Sequence, residues 1–184
     1  ERVLREVREH FEELDGTSVA EAVGSYLWDD NRRAYGGEDY ERILIRAFLA
    51  LANLMHDGGD AEAYSLQLID EQEQIMAAAA DKDGNNPKAS YPRVALAPYL
   101  RGVLREATHL DYDDAERSYM SVVSWQPSFM AGQFDLARAS QGAHSQRGNG
   151  VVYVFALTGR GPFKEEAVEA PSTAALLVAG EIVS

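Results

Sequence analysis

The sequence predicts a mainly α-helical protein made of helical hairpins, with a short β element near its C-terminal end. Apolar residues recur at three- and four-residue steps through most of residues 1–145, which is the spacing of amphipathic helices. After residue 150 the pattern changes to a continuous run of β-branched and aromatic residues, which indicates a buried strand. We therefore expect a helical domain over 1–145 and a second region over 146–184, which is either complete or the start of a truncated small domain.

The chain has 184 residues, is acidic and contains no cysteine. Its 17 basic and 30 acidic residues give a formal net charge of −13. A nucleic acid or an anionic membrane surface would need clustered Lys and Arg, so neither is an expected partner. Two interpretations of the negative charge are open: it keeps the protein soluble, or part of it lines an acidic groove that binds a basic partner. The lack of cysteine excludes disulfides, thiolate zinc sites and cysteine nucleophiles, and no apolar run approaches the roughly 20 residues of a transmembrane helix.

Two helices are predicted in the first part of the chain. The first covers residues 1–14, and Asp15-Gly16 is expected to end it because Gly favours the position just past a helix C-terminus. The second is predicted over about 19–34, since Ser18 and Glu21 have the spacing of a capping box.

The next two helices are predicted to pair as a hairpin. A helix over about 40–56 has the clearest amphipathic pattern in the chain, a turn follows, and a return helix runs over about 61–80. On the return helix, the four residues from Glu71 to Gln74 are interpreted as a solvated face. A polar loop rich in Gly, Asn and Pro follows over 81–90. The residues expected to face inward on the return helix are Ala63, Leu66, Ile69, Ile75 and Met76.

Residues 97–127 form the stretch around which the rest of the chain is organised. They predict a helix, a tight turn over 110–115 and a second helix that Pro127 ends, and a further helix is predicted over about 129–141. Small and aromatic residues fall where the two helices of a hairpin would cross closely, with the spacing of a tetratricopeptide repeat. These residues are Tyr99 and Gly102 on the first helix, and Tyr112, Ala115 and Tyr119 on the second.

The repeat is irregular. In the earlier hairpin Ala63 is taken as the counterpart of Ala115, and the two lie 52 residues apart rather than the roughly 34 of a strict array. The alternative is a plain α-helical bundle with a chance match to the repeat. We expect an irregular α-α superhelix of tetratricopeptide-like hairpins, which stack because one hairpin cannot bury its own apolar face.

The C-terminal region is predicted to contain a strand, a turn and an apolar segment. The run 151–157 predicts a buried strand after a stretch, 142–150, whose composition indicates flexibility. A lone strand needs a partner, so either 163–169 pairs with it or a small sheet continues beyond Ser184. Residues 174–183 predict a final helix.

Short motifs occur in a fixed order through most of the chain. They are Trp28-Asp29-Asp30-Asn31, Gly37-Glu38-Asp39-Tyr40-Glu41-Arg42, Ala50-Leu51-Ala52-Asn53-Leu54, Gly59-Asp60-Ala61-Glu62-Ala63, Asp111-Tyr112-Asp113-Asp114-Ala115 and Gly159-Arg160-Gly161-Pro162. In this order they resemble a family of uncharacterised bacterial lipoproteins with tetratricopeptide-like helices. The resemblance implies an exported, lipid-anchored cell-envelope protein and supplies no known activity. The lipid-attachment cysteine is absent and the chain starts at Glu1 inside an amphipathic pattern, so we expect a fragment or a processed form.

No residue is predicted to be catalytic, and no metal or cofactor is expected. His56 and His109 lie near the C-terminal ends of predicted helices, where a cation interacts well with the helix dipole. Asp111, Asp113 and Asp114 suit the start of a helix and lack the twelve-residue loop with a central Gly that a calcium site needs. The sequence has neither a Gly-x-Ser-x-Gly elbow nor a phosphate-binding loop.

The candidate interaction residues are two cations and two tyrosines. Arg160 and Lys164 are among the few cations in the last third of the chain, and Arg160 is predicted at an exposed turn suited to a carboxylate or an acidic face. The acidic face would belong either to the protein's own helical domain or to a partner. The third interpretation is that the segment around Arg160 is a plain turn with no binding role. Tyr99 and Tyr112 have core spacing, and we expect one or two tyrosines of this kind to line a concave groove.

The preferred function is a non-enzymatic protein- or peptide-binding module, or scaffold, of a cell-envelope lipoprotein, with its ligand in a groove between helices. Two alternatives stay open. One is an envelope enzyme with its active site in or beyond the C-terminal β segment. The other is a structural subunit that self-associates through the edge of the 151–157 strand. The expected partner is a protein or peptide and not a nucleic acid, and the membrane is reached only through a lipid anchor that this chain lacks.

Overall fold

The structure of the chain is a computed structural model that describes residues 1–21 and 35–159. These residues form six α-helices and contain no β-strand. The prediction of a mainly helical chain is therefore confirmed, while the predicted strand partner 163–169 and the final apolar helix lie outside the described residues. The helices are α1 (Arg2–Glu21), α2 (Asp39–Leu54), α3 (Ala61–Ala78), α4 (Leu96–Ala107), α5 (Tyr112–Trp125) and α6 (Met130–Ser140).

Each described helix packs mainly on its neighbours in the chain. The extensive contacts join α1 to α2, α2 to α3, α3 to α4, α4 to α5 and α5 to α6. Packing between sequential helices is the organisation expected of stacked hairpins, in which each layer covers the apolar face of the one before it. The chain as a whole divides into two compact units, Glu1–Val152 and Tyr153–Ser184, and all six helices belong to the first.

The apolar core of the first unit lies between α2, α3 and α4. Leu49 and Ala50 of α2 meet Tyr64 of α3 and Leu100 of α4, and all four are buried. A second buried cluster continues this core along the same three helices. Its members are Ala47, Leu68 and Ala97.

The turn between α2 and α3 is organised by Asn53. The Asn53 carbonyl oxygen accepts a hydrogen bond of 2.9 Å from the Gly58 N–H, and Gly58 has a φ of 75°, which favours glycine. The Asn53 side-chain oxygen accepts a second bond, of 2.9 Å, from the Asp60 N–H just before α3. One buried side chain therefore ties the end of α2 to the start of α3.

Gly102 and Tyr119 mark the close approach of α4 and α5. A Cβ atom on Gly102 would lie 2.6 Å from the Tyr119 ring, so only glycine fits there. Tyr119 is fully buried. The turn between these helices is shorter than the predicted 110–115, because Asp111 immediately precedes α5 and the Thr108 hydroxyl accepts the Asp111 N–H at 3.2 Å.

The second helices of the two hairpins, α3 and α5, bury residues in the same register. Each presents three almost fully buried residues at relative positions 0, +4 and +7. Ala63, which was predicted as the counterpart of Ala115, is exposed, whereas Ala61 is buried as Ala115 is. The matching residues are Ala61, Ser65 and Leu68 on α3, and Ala115, Tyr119 and Val122 on α5.

The inward face of α3 also differs from the prediction. Leu66 is exposed, whereas Glu71 and Gln72, which were assigned to a solvated face, are buried. For Glu71 the physical reason is that α2 supplies two arginines, the half-buried Arg42 and the buried Arg46, which pair with it. A carboxylate with such partners can extend the buried stripe of a helix, which an apolar pattern alone does not predict.

Two further segments depart from the sequence predictions. Helix α1 continues through Asp15-Gly16, where the first helix was predicted to end; a single glycine costs a helix only about 1 kcal/mol, which is too little to end it. Residues 151–158 show no strand pairing among the described residues, and Val152 and Val154 are exposed, so the predicted buried strand is not confirmed.

Candidate functional site: a polar groove between α1, α2 and α3

An open groove of about 300 Å³ lies between helices α1, α2 and α3 and is lined by polar side chains. Helix α1 contributes one carboxylate, α2 contributes two guanidinium groups, and α3 contributes four polar residues. The groove lies on the outer side of the α2–α3 hairpin core, where these polar groups replace apolar ones. Its lining residues are Glu12, Arg42, Arg46, Gln67, Asp70, Glu71 and Gln74.

One stripe of α3 forms a wall of the groove. Gln67, Asp70, Glu71 and Gln74 stand at relative positions 0, +3, +4 and +7, which places them on one face of a helix. Along the helix axis, the distance from Gln67 to Gln74 is about 10 Å. That length corresponds to about three residues of an extended peptide chain.

A buried ion network closes the inner side of the groove. The Glu71 carboxylate accepts hydrogen bonds from Arg42 at 2.7 Å and pairs with Arg46 at 2.8 Å. Arg46 also pairs with Glu12 at 3.0 Å and donates to the Arg42 carbonyl oxygen at 3.0 Å. Arg46 is 5% exposed and Glu71 is 6% exposed. Each buried charge therefore has a partner of opposite sign, as burial in a protein requires.

The carboxylates around Arg46 oppose the effect of burial on its charge. Burial lowers the pKa of the Arg46 guanidinium, and the nearby Glu71 and Glu12 carboxylates act in the opposite direction. Because an arginine stays protonated even when its pKa is lowered, Arg46 remains a cation at neutral pH. Arg46 and the carboxylates that pair with it thus form a fixed base for the groove.

Other polar groups of the groove have no partner within the described residues. The Asp70 carboxylate and the Gln74 amide make no hydrogen bond or ion pair there, and both are exposed. Gln67 accepts one hydrogen bond of 3.0 Å from Arg8 through its side-chain oxygen, which leaves its NH₂ group available. The groove therefore offers one carboxylate, one complete amide and one NH₂ donor along about 10 Å of α3.

A second polar cluster lies between α4, α5 and α6 and is centred on Glu106. Tyr119 donates to the buried Glu106 carboxylate at 3.0 Å, and the Arg138 guanidinium donates at 2.7 Å. His144 Nδ1 lies 2.9 Å from the same carboxylate, and the imidazole ring stacks on Tyr112 at a centroid distance of 3.8 Å. The cluster thus fixes the chain just after α6 against α4 and α5.

The Glu106 cluster has the features of a structural element and not of an acid–base pair. Burial raises the pKa of the Glu106 carboxyl, but hydrogen bonds from Arg138, His144 and Tyr119 outweigh burial and lower the pKa to about 2. The neighbouring carboxylates Glu106 and Asp135 raise the pKa of Arg138. A carboxylate with this pKa and three donors holds no proton that it could exchange near neutral pH.

The predicted interaction residues do not line the groove. Tyr99 and Tyr112 border the Glu106 cluster: Tyr99 donates to Asp135 at 2.8 Å, and Tyr112 stacks on His144. Arg160 and Lys164 lie outside the described residues. Both tyrosines therefore lie among α4, α5 and α6, on a different set of helices from the groove.

Sequence reasoning missed the groove, although one signal for it is present. Arg42 and Arg46 are four residues apart on α2, whose neighbouring positions are largely apolar. Two cations beside the buried face of a helix need carboxylates from another element. That requirement could have drawn attention to Glu71, which instead was grouped with its polar neighbours.

Comparisons with known proteins add no relative. No protein-family model matches the chain, and no curated protein or solved structure matches it. Within the described residues, no cluster of His, Asp and Glu side chains is suited to hold a metal ion. The described helices also include none that is long and apolar enough to span a membrane.

Proposed function

We propose that this chain is a non-enzymatic binding module, and that the polar groove between α1, α2 and α3 binds an extended peptide segment of a partner protein. The observation that carries the proposal is a row of polar groups along α3 that can still make hydrogen bonds. They lie beside an ion network whose charges neutralise each other. The groove is preformed because its inner charges are held by each other. A ligand therefore meets fixed hydrogen-bonding groups and does not have to organise them.

The chemistry of the wall suits a polypeptide main chain. A glutamine amide both donates and accepts hydrogen bonds, as does each peptide unit of an extended chain. Gln67 and Gln74 are separated by about 10 Å, so they would contact peptide units about three residues apart. Asp70 lies between them on the same face and would meet the side chain of a central residue.

Charge favours a neutral or basic ligand. The groove is lined by three carboxylates and two guanidinium groups, and the chain as a whole carries a formal charge of −13. A peptide with a Lys or Arg at its centre would pair with Asp70, and the overall negative field would speed its association. An acidic peptide would be repelled both by the Asp70 carboxylate and by the overall negative charge of the chain.

Binding is favoured over catalysis by the state of the ionisable groups. Glu12 and Glu71 are already paired with Arg46, and in the described part of the chain no histidine lines the groove. General acid–base chemistry needs a group that changes its protonation state near the working pH. Asp70, an exposed carboxylate without a described partner, has no second group beside it to share such a role.

We further propose that the hairpins belong to an irregular tetratricopeptide-like array within a cell-envelope lipoprotein, with a short β element near residues 151–157. The shared register of α3 and α5 and the close Gly102–Tyr119 packing support the repeat. The motif resemblance supports the envelope assignment. Arg160 and Lys164 remain proposed contacts for the same partner or for an acidic surface.

A peptide selection tests the groove. The chain is used to select binders from a library of short random peptides, and affinities are then measured with Asp70→Lys/Gln74→Ala and with the control Glu73→Lys, which changes an exposed residue of α3 that does not line the groove. We expect selected peptides to be enriched in Lys and Arg, to lose affinity at least tenfold in the groove variant (about 1.4 kcal/mol), and to bind the control with little change.

Three results would count against the proposal. In the first, the library gives no binder above background. In the second, the groove variant binds as tightly as the parent while its helical circular dichroism spectrum is unchanged. Equal losses in the groove variant and in Glu73→Lys would show a general effect of charge reversal and would also remove the groove from consideration.

A further inference from the structure

Asn149 and Gly150 form the single Asn–Gly dipeptide of the sequence, in a segment without helix or strand. Both residues are exposed. The turn before them is closed by a hydrogen bond of 3.0 Å from the Asn149 N–H to the Gln146 carbonyl oxygen, with Gly148 at a φ of 91°. This is the arrangement of a turn with glycine at its third position. The Asn149 side chain itself takes no part in that turn.

We propose that Asn149 is a site of spontaneous deamidation and isoaspartate formation. Hydroxide takes the proton of the Gly150 N–H and becomes water, and the deprotonated nitrogen attacks Cγ of Asn149. A new C–N bond forms, the bond from Cγ to the side-chain amide nitrogen breaks, and that nitrogen takes a proton from water, which regenerates hydroxide. Ammonia leaves and a five-membered succinimide remains. Water then adds to either ring carbonyl, which gives aspartate or isoaspartate at position 149. Water is the only co-reactant, and no atom is oxidised or reduced.

The geometry around Gly150 permits ring closure. A Cβ atom built on Gly150 would meet nothing within 4 Å beyond its chain neighbours, so no other part of the described chain crowds its Cα. Among the described residues, the Gly150 N–H makes no hydrogen bond that would hold the nitrogen away from Asn149. Glycine also lacks the side chain that would crowd the attacking nitrogen and restrict its backbone angles.

The other described asparagines are protected in different ways. Asn53 is buried in α2, and its side-chain oxygen accepts the Asp60 N–H. Asn85 donates through its side chain to Asp81 at 3.1 Å. Asn86 is followed by a proline, which has no N–H to attack with. The contrast makes Asn149 the most reactive asparagine in the described part of the chain.

The product changes both charge and backbone. Deamidation replaces a neutral amide by a carboxylate in a chain that is already strongly acidic. Isoaspartate also inserts one extra carbon into the main chain, in the segment just before Val152, where the first compact unit ends. The modified position therefore lies near the C-terminal limit of the first unit and after the last of the six described helices.

Peptide mapping by mass spectrometry tests the inference. The full chain is incubated at physiological temperature and mildly alkaline pH beside a synthetic peptide of residues 146–152, and isoaspartate at each position is followed with time. We expect Asn149 to be modified before Asn53, Asn85 and Asn86, at a rate close to that of the peptide and rising with pH. Gly150→Ala should slow the reaction severalfold, and Asn149→Gln should abolish it at this position.

Two outcomes would overturn the inference. One is an unmodified Asn149 after a time in which the synthetic peptide has largely reacted, because the folded chain would then be protecting the site. The other is a rate unaffected by Gly150→Ala, which would show that the missing side chain at position 150 does not make Asn149 reactive. Helical circular dichroism, recorded on the same samples, shows that either result refers to the folded protein.

Discussion

Glu71 and Glu106 are buried carboxylates in the interior of the described helices. The groups that neutralise the two charges differ. Glu71 is shared by two arginines of α2, which lie on a neighbouring helix and wall a groove open to solvent. Glu106 accepts hydrogen bonds from a tyrosine, an arginine and a histidine on elements that follow it in the chain. A buried carboxylate is costly unless it is paired in this manner, so both residues constrain how their helices pack.

Replacing Glu106 by glutamine is expected to destabilise the protein in a pH-dependent way. Loss of the charge leaves the half-buried Arg138 without its main partner, and we expect the free energy of unfolding at neutral pH to fall by about 3 kcal/mol. Because folding lowers the pKa of Glu106 from 4.5 to about 2, its contribution is complete above pH 4.5. It is lost as the pH falls toward 2, where the folded protein also protonates the group.

Urea unfolding of the parent and of Glu106→Gln, at neutral pH and at a pH between 4.5 and 2, measures this difference. The difference in the free energy of unfolding between the two proteins should be smaller at the acidic pH than at neutral pH. A gap that stays the same at both pH values would show that the loss is one of packing or hydrogen bonding and does not come from the lowered pKa.

Gly102 gives a second prediction, which concerns steric fit. A Cβ atom on Gly102 would lie 2.6 Å from the Tyr119 ring, which is fully buried and bonded to Glu106. We expect Gly102→Ala to lower the free energy of unfolding by about 1–3 kcal/mol, since the ring cannot move without breaking its contacts. Gly36→Ala is the control, because a Cβ there meets nothing within 4 Å. Equal denaturation midpoints for the two variants would contradict the tight α4–α5 contact.

At the level of helices, α3 shows why part of the fold could be predicted and part could not. Its limits, Ala61–Ala78, are close to the predicted 61–80, because Asp-Gly-Gly-Asp breaks the chain before it and the following loop is polar. The prediction of its inward face was wrong. Hydropathy assigns Glu71 to solvent, but Glu71 is buried because Arg42 and Arg46 of α2 pair with its carboxylate. Local sequence determines where a helix begins and ends, but the buried face of a polar helix depends on the element that packs against it.

The same helix provides a matched pair of substitutions. Glu71→Gln removes the charge that neutralises Arg42 and Arg46, and breaking a buried ion pair on one side typically costs about 3 kcal/mol or more. Glu73→Gln, two residues along the helix, changes an exposed side chain and should shift stability by no more than about 0.5 kcal/mol. Chemical denaturation of both variants gives the comparison. Similar small effects for the two would mean that the ion network contributes little to the packing of α3.

For the molecule as a whole, apolar periodicity predicted the mainly helical architecture but not the site. The apolar periodicity of α2, α4 and α5 follows from residues that are close in sequence, so those helices and their pairing could be read directly. The groove joins residues from α1, α2 and α3 that are far apart in sequence, so no pattern within a single helix shows that they meet. The tyrosines chosen from the sequence, Tyr99 and Tyr112, border the Glu106 cluster instead.

The central claim is that a peptide binds along α3, and chemical-shift mapping tests it most directly. A peptide selected on the chain is titrated into isotopically labelled protein, and the backbone amide signals that move are assigned to residues. We expect the largest shifts on 67–74 of α3, with smaller ones at Glu12, Arg42 and Arg46, and we expect Asp70→Lys to remove them. Shifts centred on Tyr99, Tyr112 and α6, with α3 unchanged, would contradict the account and move the binding site to the Glu106 cluster.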